Sequence, residues 1–188
     1  MSLDAVQYFT VEKPQFVWYA SVRMIPGIYL NGFDKFKDGE GSMQIKALSL
    51  FNVANSNRSI KMNTSTMIRY LAETIWFPTA ALSDYIKWET IDSSLAKAVM
   101  TYQGLTVSGI MSFNENGDIT RFVADRYMGD GPNASLEKWV VDITGYKDFY
   151  GFRIPYKNKV TWQLKDGDFH WADMELTDLE FNNFQLYK

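Results

Sequence analysis

The stretch 69-RYLAETIWFPTAAL-82 decides how the rest of this chain is read. Set 100° apart, Met67, Leu71, Ile75, Ile68, Ala72 and Trp76 cover a continuous apolar arc of about 180°, with Tyr70, Thr74 and Phe77 beside it. Only Arg69 and Glu73 fill the remaining sector. A helix this apolar is covered over most of its circumference rather than lying on a surface. Asn63 or Thr64 can cap its start, and Pro78 stops it because a residue preceding proline is pushed out of helical geometry. The spacing predicts a helix over 64–76.

Around this helix the chain reads as strand. Upstream lie 16-FVWYASVRM-24, a turn at Pro26-Gly27, 33-FDKF-36 and 42-SMQIKALSLFNVA-54, in which Met43, Ile45 and Ala47 alternate with Gln44 and Lys46. The polar segment 55-NSNRSIKMNTS-65 reads as the link into the helix. After a TAALSDY connection come 86-IKWETID-92, 95-LAKAVMTYQ-103, 105-LTVSGIMSF-113, 118-DITRFVADRYM-128, 138-KWVVDITGYKDF-149, 151-GFRIPYK-157, 159-KVTWQLK-165 and 168-DFHWADMELTDLEF-181. Gly104, Asn116-Gly117, Gly151 and Asp166-Gly167 supply the turn chemistry between them. Connections this short force antiparallel neighbours. The expected fold is α+β, in one domain over 1–188: a large antiparallel sheet, curled into a half-open barrel, with its apolar face under the 64–76 helix.

Composition narrows the function classes. Hydrophobic residues are 46% and charged residues 22% of the chain, which disfavours disorder and a membrane-spanning fold. Aromatics reach 16%, and such an excess points to a sheet-rich fold with a thick core or an apolar cavity. Net charge is -3 with the basic residues scattered, so nucleic acid is not an expected partner. There is no Cys and a single His, which argues against a metal site, a cofactor-metal enzyme or thiol catalysis. His170 has no serine in a G-x-S-x-G elbow to activate. The acidic 114-NENGD-118 lacks the glutamate that closes a calcium loop and reads as a hairpin turn. No apolar run is long enough to span a membrane. Compartment and oligomeric state stay open at this level.

The residues left for a ligand site are few. Arg69 and Glu73 are spaced i, i+4, so their side chains meet. The arginine comes first, the less favourable order for the helix dipole, so helix stability alone does not account for the pair. Trp76, Trp88 and Trp139 can line a cavity, while Arg126 and Arg153, in aromatic-rich strands, can stack on a ring or pair with a carboxylate. For each of these the plain alternative is core packing or a structural ion pair.

The order RYLAETIWFPTA, IKWETID, FNENGDI, ADRY and GYKDFYGFRIPYKNKVTWQLKDGDF, preceded by QYFTVEKPQFVWYASVRM and FDKFKDGEGSM, resembles an uncharacterised bacterial protein family of unknown function. Its most specific parts are the helix end Trp76-Phe77-Pro78 and the segment running from Ile154-Pro155 to Trp162. The resemblance implies no activity. It does imply that this chain is the C-terminal part of a longer protein, membrane-anchored or envelope-associated, which fits a separate reading of Met1-Ser2-Leu3 as left over from trimming. By architecture alone the expected fold is similar to LolA-like lipoprotein carriers, in which a curled sheet and a helical lid enclose an apolar cavity. The leading expectation is therefore non-enzymatic binding of an apolar or lipid-like ligand between sheet and helix, with Arg69, Glu73, Trp76, Trp88, Arg126, Trp139 and Arg153 as contacts and no cofactor. The alternatives are a hydrolase-like enzyme using Glu73 with an arginine and a tyrosine in a cleft, and an envelope-associated interaction module.

Overall fold

In the computed structural model the described residues are 3–25, 28–47, 51–57, 59–129, 131–183 and 185. The turn expected at Pro26-Gly27 and the middle of the expected 42–54 strand lie outside them. Thirteen regular elements follow in order: β1 (Leu3–Thr10), β2 (Gln15–Ile25), β3 (Ile28–Lys37), β4 (Glu40–Ala47), β5 (Phe51–Asn57), α1 (Ile60–Glu73), β6 (Ile86–Thr90), β7 (Leu95–Tyr102), β8 (Leu105–Phe113), β9 (Ile119–Met128), β10 (Ser135–Phe149), β11 (Phe152–Leu164) and β12 (Gly167–Glu175). Every ladder is antiparallel and joins consecutive strands.

The expected single sheet is two. β1 to β5 form one and β6 to β12 the other, and neither is closed into a barrel. The division falls where the helical connection between β5 and β6 carries the chain from one sheet to the next. α1 lies between them, touching β3 and β4 of the first sheet and β8 and β9 of the second.

The helix begins earlier than its apolar pattern suggests. Ser59 is the cap: its hydroxyl accepts from the Met62 N–H at 3.0 Å. Asn63 and Thr64 are already inside the helix, Asn63 accepting from the Gly41 N–H at 2.8 Å and Thr64 donating back to the Ile60 carbonyl at 2.9 Å. α-Helical geometry ends at Glu73 and tightens to a 3-10 turn over Thr74–Trp76; a second such turn spans Pro78–Leu82. The apolar arc is buried as expected, with Met67 and Leu71 at the centre of the core.

Pairing register sorts the inner face of the first sheet into layers. Phe9, Phe16 and Phe36 share one level, Gln7, Trp18, Asp34 and Met43 the next, then Ala5, Ala20, Gly32 and Ile45, then Leu3, Val22 and Leu30. The phenylalanine layer packs into the core with Tyr70, Phe77 and Trp76 of the helix end. The last two layers lie outside that cluster: Ala20 is buried, but Leu3 is 41% exposed.

On the second sheet Ala98 and Gly109 face each other beside the fully buried Phe122. A Cβ on Gly109 would stand 2.2 Å from the Phe122 ring. That close approach explains a glycine in the middle of a strand. Gly109→Ala is expected to cost about 1–3 kcal/mol by overpacking, read as a lower denaturation midpoint with an unchanged slope.

Candidate functional site

The second layer of the first sheet carries polar groups into the interior, and α1 answers them. Arg69 donates from Nη1 to Asp34 Oδ2 at 2.6 Å, from Nε to Glu73 Oε1 at 2.8 Å and from Nη2 to Gln7 Oε1 at 2.9 Å. Gln7 Nε2 closes the ring by donating to Glu73 Oε2 at 2.8 Å. The guanidinium also stacks on Phe16 and Trp18, at 4.9 and 5.0 Å from the ring centres. The sector that helix periodicity left outside the apolar arc is thus turned to β1, β2 and β3, so α1 is enclosed on that side as well.

Electrostatics follow from depth. Burial alone would lower the Arg69 guanidinium, but Glu73 and Asp34 outweigh it and hold it above its ordinary value. Burial pushes the Glu73 carboxyl up, against the pull of Arg69 and Gln7. Both Glu73 oxygens already accept a hydrogen bond and the side chain is buried, so a general-base role requires a substrate to reach it past Arg69 and Gln7. Among the described residues Asp34 Oδ1 is buried without a donor.

Arg126 approaches the same cluster from β9. Its Nε donates to the Ser65 carbonyl of α1 at 3.1 Å, and its guanidinium sits 4.6 Å from the Trp139 ring centre and 5.5 Å from that of Trp162. Burial, then repulsion from Arg69, pushes it down to about 10, while Asp34 and Glu73 pull the other way. It remains a cation at neutral pH. Among the described residues no carboxylate lies within ion-pair distance of Arg126; Glu137, its register partner on β10, does not reach it. Deep as these groups are, they keep some accessible surface: Arg126 is half-buried, and the side chains of Arg69, Asp34 and Glu73 are 13%, 10% and 9% exposed.

The structure brings Arg69, Glu73, Arg126 and Trp139 together. Trp76 is buried beside them, its Nε1 donating to the Pro155 carbonyl at 2.9 Å. Trp88 and Arg153 are elsewhere: Trp88 is 40% exposed on the edge strand β6 and donates to the Ala81 carbonyl, and Arg153 pairs with Asp118 at the β8–β9 turn and stacks on Tyr146. Gln7, Asp34 and Ser65 complete the cluster without having been singled out by sequence, and Trp162, noted there as the end of the Ile154-Pro155 segment, joins them. Asp34 alone carried a signal, a carboxylate between the aromatics of FDKF, but Phe33 and Phe36 lie on opposite faces and leave its side undetermined. Two surface grooves of about 270 and 340 Å³ lie on the outer faces instead, one around Tyr19, Phe33 and Lys46, the other around Arg121, Asp142 and His170. Neither touches the cluster.

The profile of a family of unknown function, DUF6544, matches residues 1–174, from β1 almost to the end of β12. The chain belongs to that family. The match includes every residue of the cluster just described. Comparison with curated proteins and with solved structures returned no match, so the likeness to lipoprotein carriers has no structural neighbour behind it. Among the described residues no helix is long and apolar enough to cross a membrane.

Proposed function

We propose that this chain is a non-enzymatic binding domain for a lipid-like ligand, held beside α1 on the inner face of the first sheet, with the two sheets curled round it as a half-open shell. The observation that carries this reading is the break in packing above the polar layer. The main core cluster stops at Trp18; beyond it only Ala20 is buried, while Ala5, Gly32, Val22, Leu30 and Ile45 continue the inner face with small and aliphatic side chains. The small and aliphatic side chains of these two levels give a chain an apolar wall, with the Trp18 ring packed over Gly32 as its floor, and the polar cluster below offers hydrogen bonds at its end.

Native mass spectrometry together with titration of a neutral apolar dye, N-phenyl-1-naphthylamine, tests the reading. The expected result is one ligand or dye per chain with a micromolar dissociation constant, weakened about tenfold or more by Ala5→Trp. Ala5 is exposed on the edge strand β1, so that substitution fills the space without disturbing the core. A protein that takes up neither lipid nor dye is not a carrier of this kind. The same spectra test an interaction-module reading, favoured by the exposed apolar side chains Val17, Tyr19 and Phe33 on the outer face of the first sheet. A stable dimer without ligand selects that reading instead.

A further inference from the structure

Resting on the reading above, we infer that the ligand's head group is neutral and carries both a hydrogen-bond acceptor and a donor, as an acyl ester with a free hydroxyl does, and that Arg126 and Asp34 recognise it. The argument starts from what each residue lacks. Arg126 has Nε on the Ser65 carbonyl and its faces against Trp139 and Trp162, yet among the described residues its remaining N–H groups have no acceptor. Asp34 has Oδ2 on Arg69, and among the same residues its other oxygen is buried without a donor. The Arg126 Nη groups keep access to solvent, whereas a buried carboxylate oxygen without a donor is rare in folded proteins, so a bare acceptor and accessible donors in one cluster point to a partner that meets both.

Charge decides between an anionic and a neutral partner. Arg69 and Arg126 balance Asp34 and Glu73, and these four groups act on one another through the protein interior. The cluster is therefore already electroneutral, and what Arg126 wants is an acceptor rather than a counter-ion. A carboxylate head would add a desolvated charge to a balanced site. It would also meet the bare Asp34 oxygen. A carbonyl with a nearby hydroxyl satisfies Arg126 as acceptor and Asp34 Oδ1 as donor, without either cost.

The test displaces the apolar dye with two amphiphiles of equal chain length, 1-decanoylglycerol and decanoate, at mildly alkaline pH where decanoate is fully ionised. Decanoylglycerol is expected to bind at least about tenfold more tightly. Arg126→Met is expected to shrink that ratio to about twofold or less; should this variant fail to fold, the comparison on the unaltered protein still decides. Equal affinities, or tighter decanoate, overturn the head-group assignment while the dye signal leaves the carrier reading standing. Failure of dye and both amphiphiles to bind overturns the carrier reading and the assignment with it.

Discussion

Replacing Arg69 with methionine is expected to destabilise the protein by about 3–5 kcal/mol, a large share of the stability of a domain this size. The cost comes less from the lost ion pairs than from what they leave behind: Asp34 and Glu73, both buried, lose the guanidinium that touches them at 2.6 and 2.8 Å. pH provides the check. In the variant the Glu73 carboxyl, already pushed up by burial, loses the cation that pulls it down, so the folded state holds more protons than the unfolded one across the window between that raised value and the unfolded value of about 4. Stability of Arg69→Met should therefore rise as pH falls through the window, and Asp34→Asn with Glu73→Gln in the same chain should restore much of the loss. Urea denaturation at several pH values measures both. A loss under about 1 kcal/mol, unchanged with pH, would falsify the buried cluster, since that is the size of an exposed pair.

Trp76→Ala is the second large effect, expected at about 3–5 kcal/mol. This side chain joins three parts of the fold, packing on Phe9 of β1 at the end of α1 and donating to the Pro155 carbonyl on β11. Trp76→Phe separates the two contributions. It keeps most of the buried ring and removes the hydrogen bond, leaving a buried carbonyl without its donor, for a loss of about 1–3 kcal/mol. Thermal or urea unfolding of the pair reads the difference. Equal losses in the two variants would place the whole effect in the hydrogen bond and none in packing.

The site was legible from sequence only in part. Arg69 and Glu73 stood out because they share a turn of helix, a relation between residues close in the chain. Trp139 and Arg126 were visible as residue types, without anything to bring them together. Asp34 and Gln7 stayed hidden because a single polar residue on the inner face of a strand breaks the alternation by which that face is recognised. β1 itself went unread for this reason: Gln7 shares its inner side with Leu3, Ala5 and Phe9. Conversely Trp88 and Arg153, equally plausible by type, lie outside the cluster because an edge strand and a turn place them there.

What this sequence determines by itself is the presence of one buried helix ending ahead of Pro78, and a meander of antiparallel strands on either side of it. Both are local: a 3.6-residue apolar period, a proline that forbids helical geometry before it, and glycine turns too short for any other connection. Tertiary structure decided that the strands make two sheets with the helix between them, that Gln7, Asp34 and Arg69 meet, and that Arg126 comes to the same helix at Ser65. Those residues come from four elements, and their meeting depends on pairing register. A slip of one residue turns a side chain to the opposite face, so no spacing along the chain could have assembled them.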